Sequence, residues 1–237
     1  FVYFDASKVT TVSDLKTKIT NGLLTYGSST DINKFGGRFK YSKVLNVIDK
    51  IDDAITSNIT RVRIRRNLRA LTNQFAQYEL CYGNRFYINP EGKNIKSTGF
   101  TIQGVNDMVY FTDIPNRNPD GTLDGSGKGI LAIVKGDAEL SQGQLVVASA
   151  GIVDYAHGEV IISTVNITST QRSNNIVEIQ AFPESNDIVG LKDLYLSFAV
   201  GDSAINMVKD TITSGEQISG VGFKVTSSYA NGALVRG

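Results

Sequence analysis

The hydrophobic period of this chain changes once, near residue 71, and that change limits the fold more than any other feature. Before it, apolar residues recur mainly at helical spacing; after it, short runs rich in β-branched and aromatic residues are separated by turn residues. Phe1–Phe4 reads as a short strand. Leu15, Ile19, Gly22/Leu23 and Tyr26 form one helix face, with Thr11 or Ser13 as N-cap and Gly27 as a left-handed stop. Gly36-Gly37 marks a turn. A second helix starts at a Ser42 cap, carries Leu45, Ile48, Ile51, Asp52 and Ile55 on one stripe, and breaks at Ser57-Asn58. Ile59–Arg66 then alternates, with Val62 and Ile64 facing one way and Arg61, Arg63 and Arg65 the other.

The later runs predict strands at 77–82, 85–88, 99–103, 108–112, 130–135, 144–148, 159–165, 176–182 and 195–200, with no comparable helix. The expected fold is α+β: a strand–helix–helix–strand module over 1–70, then a larger, mostly antiparallel β-rich module over 71–200. The Gly/Ser/Thr-mixed stretch over 201–237 reads either as an arm that orders against a neighbour or as a poorly packed C-terminal extension.

Composition restricts the chemistry. In 237 residues there is one cysteine, Cys81, and one histidine, His157. An internal disulfide, a Cys/His zinc site and a two-histidine iron site are therefore excluded. The longest wholly apolar run, Ile130–Val134, is far short of the ~20 residues of a membrane-spanning helix. No signal peptide is recognisable and no initiator Met is present, so a fragment of a longer protein is expected. The net charge of +1 conceals an asymmetry: residues 1–118 carry +7 and residues 119–237 carry −6.

Candidate motifs fail on spacing. Gly125–Gly129 resembles a phosphate loop, but Thr122 and Gly129 occupy positions that need Gly and Ser/Thr, and no helix follows. Asn116, Asn118, Asp120 and Gly121 echo half a calcium loop, yet Gly127 stands where a bidentate Glu is required. His157 lies in a predicted hairpin turn with Gly158, and no nucleophile elbow accompanies it. Cys81 reads as a small core residue of a strand. Asp52 and Asp53 are adjacent on a helix and do not converge. No catalytic residue, cofactor site or metal site is expected. The densest charge feature is Arg61, Arg63, Arg65, Arg66 and Arg69, without interleaved aromatics. It reads first as a protein–protein interface, because the planar guanidinium binds carboxylates bidentately. A nucleic-acid groove and a solvated strand face are the other readings.

A resemblance covers roughly residues 1–200. It rests on Asp31–Phe39 (DINKFGGRF), Tyr41–Val44, Ile48–Asp52, Thr56–Ile59, Tyr78–Asn84 (YELCYGN), Ile95–Phe100 (IKSTGF) and Gly151–Val160 (GIVDYAHGEV), in that order. This succession resembles the C-terminal portion of baseplate wedge proteins of T-even-like contractile-tailed phages, related to the baseplate J-like family. The resemblance implies a structural, non-enzymatic virion component of the inner baseplate, assembled in the host cytoplasm. It implies self-association as a dimer and into a ring around the tail tube, contact with other wedge proteins, and transmission of the sheath-contraction signal. Neither nucleic acid nor membrane is an implied partner. The alternatives are a basic nucleic-acid-binding module and a carbohydrate-binding or hydrolysing tail domain, which needs two carboxyl groups in a cleft.

Overall fold

The computed structural model describes residues 1–136, 143–192 and 194–212, with two short strands at 229–230 and 233–234 that pair with each other. In chain order the elements are β1 (Val2–Phe4), α1 (Val12–Gly27), β2 (Arg38–Phe39), α2 (Tyr41–Asp49), β3 (Ile55–Asn58) and β4 (Ile64–Arg69). There follow β5 (Phe75–Cys81), β6 (Lys96–Ser97), β7 (Phe100–Ile102), β8 (Val105–Pro115), β9 (Lys128–Lys135) and β10 (Gln144–Asp154). Then come β11 (Glu159–Thr170), β12 (Ile176–Ala181), β13 (Ile188–Val189) and β14 (Met207–Lys209). The architecture is α+β only in a broad sense: among the described residues two α-helices accompany a fold that is mostly β.

Helix α1 forms as its sequence dictates. Leu15, Ile19, Leu23 and Tyr26 are buried on one stripe, and the Thr11 side chain accepts from the Asp14 N–H at 3.3 Å. The stop differs from expectation. Gly27 is the last helical residue and lies beside the Phe198 ring; Ser28 ends the helix in αR geometry. Helix α2 is shorter than the stripe suggested. It ends at Asp49, and Ser42 lies inside it rather than at its cap. The Lys40 cap position makes no side-chain bond; instead Asp187 accepts from the Tyr41 N–H at 2.8 Å, across 146 residues. Ile55, assigned to the helix by spacing, belongs to β3.

The expected strand over 59–66 is displaced. Strand β3 ends at Asn58 and β4 begins at Ile64, because β4 is registered by antiparallel pairing with β12, from Ile64 opposite Ala181 to Arg69 opposite Ile176. The segment between them links two sheets and is not a strand. Residues 85–88 and 195–200 also form no named strand; they contribute isolated bridges, Phe86 to Pro183 and Phe35 to Tyr195.

The large sheet closes on itself. Antiparallel pairings run β7–β8, β8–β9, β9–β10, β10–β11 and β11–β7, a small barrel. Strands β6, β12 and β4 extend it beyond β8, and β5 pairs along β11. Inward residues such as Phe100, Phe111, Leu131, Ile133, Val160, Ile162 and Ile167 fill it. A second core lies between α1, α2 and a three-stranded sheet, β14-β1-β3. Residues that the sequence reading placed with the β-rich module and the arm complete this core: Ile188, Val200, Phe198 and Met207 pack there, and β14 pairs in parallel with β1. The start of the presumed arm therefore orders against its own chain. Residues 213–228 of the arm lie outside the described residues.

Candidate protein–protein interface

Strand β4 occupies one end of the strand order of the large sheet and carries three of the five arginines; Arg61 and Arg63 lie in the linking segment before it. The strand alternates: Arg65, Asn67 and Arg69 face water, while Ile64, Arg66 and buried Leu68 face the protein. The five arginines consequently differ in what they do. Arg66 donates through Nε and Nη2 to the Cys81 carbonyl oxygen at 3.0 and 2.6 Å, bracing β4 against β5. Arg65 bonds Asp202 at 2.8 Å and approaches Glu178 at 3.4 Å. Arg63 lies 4.7 Å from the centre of the Phe182 ring. Arg61 and Arg69 make no ion pair with any described residue, and Arg69 borders a shallow depression with Asn67, Asn174 and Asn175. Part of the charge asymmetry is therefore satisfied inside the chain, where Arg65 and Arg85 meet Glu178, Asp202 and Glu184.

The other candidates fall as follows. Gly125–Gly127 lies in the β8–β9 connection, where Asp124 accepts from the Ser126 N–H at 2.8 Å and Lys128 opens β9. His157 sits in the β10–β11 turn, 72% exposed, with Nδ1 3.1 Å from Asp154; Gly158 has φ +69° and abuts the Asn84 backbone. Cys81 is not a core residue. It is half-buried on the outer face, its Sγ 3.5 Å from Glu79 and 3.8 Å from Glu159. Burial first, then the Glu79 bond and the negative carboxylates, push its thiol above the ordinary value, the opposite of an activated nucleophile.

One polar cluster escaped the sequence reading. Asp113 on β8 and Tyr155 are both 1% exposed. The Tyr155 hydroxyl donates to Asp113 Oδ2 at 2.7 Å, and the Ile95 N–H donates to Oδ1 at 2.5 Å. Burial raises the Asp113 carboxyl above its usual value, against the lowering effect of these donors; burial and the facing carboxylate raise the Tyr155 hydroxyl. Gly129 makes room: a Cβ there would lie 2.7 Å from the Tyr155 oxygen. The cluster is enclosed and fully bonded, which suits pinning the loop before β6 to the barrel. The signal available in sequence was an Asp at an inward position of an apolar strand.

Residues 2–67 match the family model described as baseplate structural protein gp6, C-terminal domain III. The segment comprises β1, α1, β2, α2, β3 and the start of β4, and so includes Arg61, Arg63, Arg65 and Arg66. Over this stretch the resemblance to the C-terminal portion of baseplate wedge proteins is borne out. The chain thus contains a domain similar to that of a virion baseplate structural protein. No curated protein matches the chain.

Proposed function

We propose that the chain is a non-enzymatic structural subunit of a contractile tail's inner baseplate, which self-associates as a dimer and into a ring and binds other wedge proteins. Transmission of the sheath-contraction signal is part of the same reading. The observation that carries it is the match of residues 2–67 to a baseplate structural domain. The arginine edge supports it: Arg69 on β4 and Arg61 in the segment before it are exposed cations without an ion pair among the described residues, beside a strand held by the Arg65–Asp202 pair and the Arg66 bond to the Cys81 carbonyl oxygen. An exposed guanidinium on a rigid strand loses little freedom when a neighbouring carboxylate binds it.

Light scattering on the chain alone and mixed with candidate wedge proteins tests this. The reading expects a mass above the monomer in at least one mixture, reduced by the double reversal Arg61→Glu, Arg69→Glu. A strictly monomeric chain that ignores every wedge partner contradicts it. Steep salt-dependent retention on DNA would favour the basic-module alternative instead.

A further inference from the structure

The outer face of the barrel carries a row that an outward sheet face seldom shows. Ile114 on β8 stands opposite Ile130 on β9, Ile130 opposite Ile152 on β10, and Ile152 opposite Ile161 on β11. Their exposures are 41, 38, 50 and 41%. Antiparallel strands with one wet face normally alternate apolar inward with polar outward, and the inward neighbours Leu131, Val153, Val160 and Ile162 already supply the core. Four aligned isoleucines in water are therefore surplus to the fold.

The row ends in charge. Ile161 stands opposite Glu79 on β5, and the Glu79 and Glu159 carboxylates lie within 4.8 Å of one another around Cys81. Neither glutamate is ion-paired with a described Lys or Arg. Two neighbouring carboxylates repel, and a cation between them would relieve that repulsion.

We propose that this row is the docking site for an extended segment of another protein chain, running across the strands, with alternate apolar side chains followed by a Lys or Arg. It rests on the reading of this chain as a subunit that binds other subunits. The barrel's outer face is convex, so a flat rigid surface would touch only the middle isoleucines, whereas an extended chain can follow the curve. The row spans three inter-strand steps, ~14 Å, and same-side side chains of an extended chain recur every ~6.6 Å. Three apolar side chains cover the isoleucines, and the next same-side position falls over Glu79 and Glu159. Charge complementarity there requires a cation.

The test uses the capped peptide Ser-Val-Thr-Val-Thr-Val-Thr-Lys-Ser and its counterpart with Glu in place of Lys, titrated into isotopically labelled protein and read by amide chemical shifts. The expected result is millimolar or tighter binding of the Lys peptide, with shifts confined to β5 and β8–β11. The Glu peptide binds about fivefold more weakly. The double variant Ile130→Ser, Ile152→Ser keeps its spectrum but loses binding, and Glu79→Gln, Glu159→Gln abolishes the preference for Lys. Equal binding of both peptides, binding unaffected by the isoleucine changes, or none at about millimolar concentration overturns the proposal. If the isoleucine variant instead dissociates a wild-type oligomer, a second copy is the occupant and the proposal is wrong. Peptide binding retained by a chain that never self-associates or meets a wedge protein leaves this site standing while removing the subunit reading.

Discussion

Asp113 illustrates how one buried carboxylate can be structural. It receives the Ile95 N–H and the Tyr155 hydroxyl in a place where water does not reach. Asp113→Ala leaves both donors without an acceptor, and we expect a loss of about 2–4 kcal/mol in urea unfolding. Asp113→Asn keeps an acceptor for Ile95 and an amide for Tyr155, so it costs less. The two variants also separate the charge. Because folding raises the carboxyl's pKa, the folded state holds its proton more tightly than the unfolded chain. Stability from this group is therefore greatest below the unfolded value near 4 and falls as pH rises through the folded value. The difference in unfolding free energy, Asp113→Asn minus wild type, should increase between pH 4 and 7; a difference independent of pH contradicts the account. At the same scale, Cys81 should alkylate slowly at pH 8, and Glu79→Gln with Glu159→Gln should speed it, since the carboxylates help to raise its thiol.

At the scale of elements, period predicted type better than extent. The α1 stripe was legible because Leu15, Ile19, Leu23 and Tyr26 satisfy one period and a local cap starts it. Helix α2 misled because its cap is not local: Asp187 meets the Tyr41 N–H from 146 residues away, so no reading of residues 38–42 could find it. Asp187→Ala should cost about 1 kcal/mol, measured by chemical denaturation, with hydrogen exchange quickened in the first turn of α2. Similarly, Ile59–Arg66 alternates convincingly, yet β12 chooses the register and moves the strand to Ile64–Arg69. The arginine group was visible as a cluster, but its division into Arg65 and Arg66, bonded to groups of the same chain, and Arg61 and Arg69, without an ion pair among the described residues, depended on that register. Glycine effects follow the same logic: Gly158→Ala combines φ +69° with a Cβ 1.9 Å from the Asn84 oxygen. It should destabilise the β10–β11 turn by about 2 kcal/mol or more in the same unfolding assay.

For the whole molecule, the core around α1 and α2 is built from both ends of the described chain. The segment that matches the baseplate structural domain, 2–67, holds α1 and α2, but Ile188, Phe198, Val200 and Met207 close the apolar surface above them. A fragment of residues 1–70 should therefore lack dispersed amide spectra and cooperative melting, and adding residues 186–212 in trans should restore both; a cooperatively folded 1–70 fragment contradicts this. The sequence hid this closure because parallel pairing of β1 with β14 joins residues about two hundred positions apart, with no local turn to announce it. The acidic second half meets the basic first half at Arg65, beside Glu178 and Asp202, whereas Arg61 and Arg69 of the same arginine group have no ion pair among the described residues. We propose that these two exposed cations serve contact between subunits. Sedimentation velocity on wild type and on Arg61→Glu, Arg69→Glu across a concentration series tests it most directly. A concentration-dependent species heavier than the monomer is expected in wild type, shifted to monomer in the variant while its melting is unchanged. Identical sedimentation of the two proteins at every concentration would contradict it.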